Sequence, residues 1–187
     1  MRSSLRRFAV AFAVSTGLVV AGVAVPATAA EACPYADARA GQVSNVALGR
    51  ATHCLVNRER TRRGLRRLRG NRRLSLAARR HSRDMVRRSY FAHDSLSGTP
   101  FERRVRRTGY LRSVGRWTIG ENLAWGAGSR SSPRVNVRAW MGSPSHRRNV
   151  LARRFRELGV GVVSGAPVSR HISQAATYAH EFGAVSR

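Results

Sequence analysis

Residues 139–151 read Ala139-Trp140-Met141-Gly142-Ser143-Pro144-Ser145-His146-Arg147-Arg148-Asn149-Val150-Leu151. The stretch begins inside a helix capped by Ser132-Pro133, which turns Val137, Trp140 and Met141 inward. Gly142-Ser143-Pro144-Ser145 then breaks that helix. A short way on, Leu158 to Val163 forms a buried strand whose Gly159 and Gly161 permit close backbone approach. A helix, an imidazole beside a break and a glycine-bearing strand follow one another here, so helices and strands intermix. Upstream lie two further islands, Phe91-Ala92-His93 and Gly120-Glu121-Asn122. In a chain whose remaining charge is nearly all arginine, they predict two imidazoles and a carboxylate around one small cavity: His93, His146 and Glu121.

Residues 1–30 read as a secretory signal. Arg2, Arg6 and Arg7 form a charged start, Phe8 to Val25 an apolar run, and Ala27-Thr28-Ala29-Ala30 a small-residue cleavage site. The run is long enough for a membrane anchor, but Gly17, Gly22 and Pro26 interrupt it. What remains is one domain's length, with no later membrane-spanning segment, and a secreted, extracellular monomer is expected. The two cysteines, Cys33 and Cys54, would be exported to an oxidising compartment, where a disulfide is the natural reading. It would tie a leader over residues 31–46 to the first helix, worth about 3 kcal/mol in the chain-entropy model.

The formal charge is +26, and all 35 basic residues are arginine. Such a surface attracts polyanions. Uniform replacement of lysine points to composition bias, and export removes chromosomal DNA, so no specific nucleic acid is expected.

The apolar spacing predicts helices over Val46 to Arg63, stopped by Gly64, and over Arg73 to Ser89, with Leu74, Ala78, His81 and Met85 on one face. Asp94 to Pro100 reads as a loop, and a short helix runs to Arg107 with Thr99 as cap and Pro100 at its first position. Trp117 to Trp125 and Thr177 to Phe182 read as strands. In the last of these, Tyr178, His180 and Phe182 face one way and Ala179 and Glu181 the other. Without a strict βαβ order, an α+β sandwich fits better than a doubly wound sheet.

Taken together, the islands resemble the CAP superfamily of cysteine-rich secretory, antigen 5 and pathogenesis-related 1 proteins, in its compact secreted bacterial (SCP domain) branch. The matching stretches are Cys54 to Arg60 with Gly64-Leu65, His81 to Met85, Tyr90 to His93, Gly120 to Gly126, Ala139 to Leu151, Glu157 to Gly161 and Glu181 to Gly183. The resemblance implies a CAP domain over residues 47–187, a three-layer α-β-α sandwich, and a cavity lined by two histidines and two glutamates. The histidines fall on His93 and His146 and the first glutamate on Glu121. The second glutamate position holds Ser143, which leaves three members.

Two neutral imidazoles suit Zn²⁺ or another divalent cation, held weakly because two nitrogens leave its other positions to water. Such an ion could polarise a water or a carbonyl. Glu121 could ligate, accept a proton or orient one histidine, or all three residues could form a purely structural network. The leading expectation is therefore a secreted CAP-domain protein whose His/Glu cavity takes a divalent metal, with a ligand-binding or interaction role. Alternatives are a lipid or sterol carrier, a binder of anionic cell-wall polymers, and a weak metal-assisted hydrolase. Nothing in the sequence establishes enzymatic activity. Ser95 or Ser143 could approach a histidine in space, His81 and His180 read as core histidines, and Asn122, Trp125, Trp140 and Asn149 as architecture.

Overall fold

The computed structural model describes residues 32–112 and 114–186. The expected signal over residues 1–30 lies outside the described residues. Five helices, α1 (Asn45–Thr61), α2 (Arg72–Arg88), α3 (Phe101–Arg107), α4 (Pro133–Gly142) and α5 (Pro144–Leu151), combine with four strands. The strands are β1 (Arg69–Gly70), β2 (Arg116–Ala127), β3 (Glu157–Ser164) and β4 (Ala175–Ser186), in the sheet order β1-β3-β4-β2. β4 pairs antiparallel with both β3 and β2, which leaves β2 as an edge strand.

Alternation along the strands sorts the sandwich into layers. On one face Tyr178 and Phe182 of β4, with Leu158 and Val162 of β3, pack against Leu48, Leu55 and Val56 of α1, Trp140 of α4 and Val150 of α5. On the other, Ala179 and Leu123 pack against Ala78 and Met85 of α2. Leu74 and Ala77 continue that contact to Val105 of α3, Tyr110 and Leu111. The result is the three-layer α-β-α sandwich. A Cβ on Gly159 would lie 2.2 Å from the Leu74 carbonyl carbon, and one on Gly161 2.2 Å from the Arg79 nitrogen. The close approach expected at these glycines is thus made by the α2 backbone lying directly on β3.

Capping explains where the helices start and stop. The Ser44 side chain accepts from Ala47 N at 3.1 Å, and Asn71 from Arg73 N and Leu74 N. Gly64 adopts φ +66° and lets Leu65 N return to the Arg60 carbonyl at 3.0 Å. Buried Arg60 donates to the carbonyls of Val150 and Ala152, closing the end of α5. The leader is part of the core: Cys33, Ala36 and Ala40 are buried, and the Cys33–Cys54 disulfide joins it to α1.

Three expectations need correction. Thr99 is not the cap of α3; Pro100 occupies that position without a side-chain bond, and Thr99 Oγ1 lies 3.1 Å from Ser97 Oγ instead. The break at 142–145 is a single residue, Ser143, after which Pro144 opens α5, because proline at the first turn lacks only a donor the helix would not use. The strands also run past their expected ends, since β2 and β4 pair over their full lengths, from Arg116↔Ser186 to Ala127↔Ala175.

Candidate functional site

Glu121 and Glu181 are register partners on β2 and β4, and both point to the α2 face. Glu121 is fully engaged. Its Oε1 meets His93 Nδ1 at 2.8 Å and its Oε2 accepts from Arg104 Nη2 at 2.7 Å, with the Glu121 side chain 1% exposed. Burial pushes this carboxyl up, but His93 and Arg104 outweigh it and hold it ionised, below the usual range. Glu181 is fully buried, and neither of its carboxyl oxygens has a hydrogen-bond partner among the described residues. Burial, and then the neighbouring Glu121 charge, raise it well above the carboxylate range. Glu121 is thus held toward its ionised form and Glu181 toward its protonated form.

His93 follows α2 in the loop and is about half exposed; the Glu121 carboxylate raises its pKa. With Nδ1 turned to Glu121, Nε2 is the nitrogen left for a ligand. His146 comes from the other side of the edge strand, on α5. Its carbonyl accepts from Asn122 Nδ2 at 3.0 Å, and Asn122 is fixed in turn by Asn149, which also donates to the Glu121 carbonyl. Burial lowers the His146 pKa, and the charge of His93 lowers it further. The two imidazoles thus feel each other around β2, one from each helical layer. Gly120 is required here: a Cβ would come within 2.9 Å of the Phe155 ring and 3.1 Å of Asn149 Oδ1.

The fold brings His93 and Glu121 into direct contact, leaves His146 within electrostatic reach of His93, and adds two residues the sequence did not single out for the site, Arg104 and Glu181. Arg104 was hidden in the arginine run Arg103 to Arg107; its signal is the position next to Val105, on the inward side of α3. Glu181 carries the alternation of β4, which places it on the face of Ala179. Among the described residues no serine hydroxyl is hydrogen-bonded to the ring of His93 or His146: Ser143 Oγ pairs with Ser145 Oγ, and Ser95 Oγ with Ser97 and Thr99. His180 packs on Trp140, ring centroids 4.2 Å apart, and burial drives its pKa down to about 3. His81 is buried in α2, with Nε2 2.9 Å from the Ala92 carbonyl. Glu157 binds Tyr110 and Asn71, away from the site.

Glu121 has no free oxygen for a metal, and among the described residues no group of three or more His, Cys, Asp or Glu could hold one. Two of the cavities measure about 330 Å³. One, between α1, α2 and β3, is lined by Val46, Leu158, Val160 and Val162 together with Arg50, His53 and Arg79. The other adjoins Arg104 and is rich in arginine.

The family model described as CAP, cysteine-rich secretory protein family, matches residues 54–176. Uncharacterized protein YkwD of Bacillus subtilis (strain 168) is 38% identical over 117 residues, covering 61% of this chain and 42% of the relative. The chain therefore spans under half the length of that relative. Among solved structures, an extracellular protein containing a SCP domain from Bacillus anthracis str. Ames is similar at 27% identity with a TM-score of 0.59, covering 79% of this chain and 45% of that one. An outer surface protein from Borrelia burgdorferi shares the fold at 19% identity with a TM-score of 0.63, covering 77% of this chain and 97% of that one. Among the described residues no helix is long and apolar enough to cross a membrane.

Proposed function

This chain belongs to the cysteine-rich secretory protein (CAP) family, and on that premise we propose that it works outside the cell as a ligand-binding module. Its site is the imidazole pair His93 and His146. The observation that carries this reading is the clamp on His93: buried, ionised Glu121 fixes Nδ1, and Arg104 fixes Glu121, which points Nε2 away as the one available nitrogen. A carboxylate behind a histidine both orients the ring and makes it a better donor. Nε2 of His93 and the imidazole of His146 would hold a divalent cation such as Zn²⁺. The ion would supply Lewis acidity toward a bound oxygen, while the protein supplies orientation through Glu121, Arg104 and the Asn122–Asn149 pair. Extracellular placement is supported by the extracellular SCP-domain relative and by the disulfide. Binding is favoured over hydrolysis because Glu121, the carboxylate on His93, is already held by Arg104, and Ser143 Oγ is turned to Ser145.

Calorimetric titration of the purified protein with Zn²⁺ tests the reading. His93→Ala and His146→Ala should each weaken affinity at least about tenfold, and Glu121→Gln, by freeing the His93 ring, roughly ten- to hundredfold. Unaltered affinity in the double histidine variant would discard it.

A further inference from the structure

We infer that the arginine-walled cavity beside the histidine site binds a phosphoryl group. Three elements build this cavity of about 330 Å³: one face of α2, the loop after it, and α3. α2 contributes Arg80 and Arg88, two helical rows apart on the same face. α3 contributes Arg104 and Arg107, and the loop contributes the hydroxyls of Ser97 and Thr99. Arg80, Arg88, Arg104 and Arg107 therefore line one space.

Their compensation is incomplete. Asp84, the only carboxylate among the lining residues, is already engaged by the Tyr90 hydroxyl and lies 4.0 Å from Arg88. Arg104 is pinned by Glu121, yet its Nε and Nη1 are buried without an acceptor. Among the described residues neither Arg80 nor Arg107 has an ion-pair partner. Like charges gathered on facing walls repel, and the cavity lowers its free energy by taking up an anion. The donors approach from three directions. A carboxylate offers two oxygens in one plane, whereas a tetrahedral phosphoryl group offers three oxygens and more charge, and meets all three walls. The volume leaves room for a phosphate or a small phosphate ester.

Arg104 joins this cavity to the neighbouring site through Glu121, but the inference does not depend on a metal at His93 and His146. The two readings fail separately, one on zinc and the other on phosphate. A chain of this charge attracts any anion, so the test must separate this cavity from the general surface. Inorganic phosphate is titrated into the purified protein at a fixed ionic strength of about 0.15 M, where exposed charges are screened beyond about 8 Å. Saturable one-to-one binding is expected. The double variant Arg80→Gln/Arg107→Gln should weaken it at least tenfold; both side chains are exposed and unpaired, so the fold should survive. The control Arg39→Gln/Arg153→Gln removes the same charge elsewhere and should leave affinity unchanged. Equal loss in both variants, or no saturable phase, overturns the proposal. Methyl phosphate and a glycerol phosphodiester form parallel arms: binding of either supports it and identifies a terminal or an in-chain phosphate as the source.

Discussion

Glu121 and Glu181 face each other across the β2–β4 ladder and their carboxyl pKa values are shifted in opposite directions, because only Glu121 has cationic side chains in contact. The consequence for stability runs in two directions. Glu181 has a folded pKa raised above its ordinary 4.5, so its contribution is complete below 4.5 and is lost as pH rises toward the folded value. Glu121 has a depressed folded pKa, so its contribution is present above 4.5 and is lost as pH falls through the folded value. Glu181→Gln, a neutral shape match for the protonated acid, should melt at or above the parent temperature, with an advantage that widens from about pH 5 to 8. Glu121→Gln strands Arg104 in the interior and should cost about 3 kcal/mol at neutral pH. Thermal melts across that range decide it; a Glu181→Gln variant that loses as much as Glu121→Gln would refute the assignment. His93, Glu121 and His146 were legible in the sequence because His and Glu are scarce there. Arg104 was not, because one arginine among 35 basic residues carries no local mark of its partner.

At the scale of elements, the contact of α2 with β3 decides the position of the site. Gly161 leaves no room for a methyl group: its Cβ would sit 2.2 Å from Arg79 N and 2.3 Å from the Ala78 carbonyl carbon. These are backbone atoms, which no rotamer change can move aside. Gly161→Ala should therefore displace α2 and cost about 3 kcal/mol in denaturant unfolding, near the upper end for an overpacked core. An effect below about 0.5 kcal/mol would show that the helix yields easily. α2 leads into the His93 loop and packs on α3, so the same variant should also weaken ligand binding. The sequence showed the glycines and the helix, but not which helix the glycines receive. It also showed the break after α4 without the restart as α5. Pro144 fits a stop and a first helical turn equally well, and the restarted helix is capped at its far end by Arg60, 90 residues from Val150.

For the whole molecule, a strongly positive surface works against compactness, and the disulfide offsets part of that. Cys33 and Cys54 are 21 residues apart and bind a buried leader to α1, so removing the bridge should cost about 3 kcal/mol. For a domain of this size that is a fall of roughly 6–12 °C in Tm, read by melting the reduced protein or Cys33→Ser/Cys54→Ser. An unchanged Tm would show that packing alone holds the leader. The sequence by itself determined the family, the existence of most helices and strands, the disulfide and the rare residues singled out for the site, because each is written in local spacing or residue type. The tertiary structure alone decided that β2 is an edge strand reached by His93 from one layer and His146 from the other. It also decided that Arg104 rather than a second acid completes Glu121, and that scattered arginines of α2 and α3 share one cavity. Those outcomes depend on which strands pair and which helix lies on which face, and such long-range pairing fixes the partner of every buried charge.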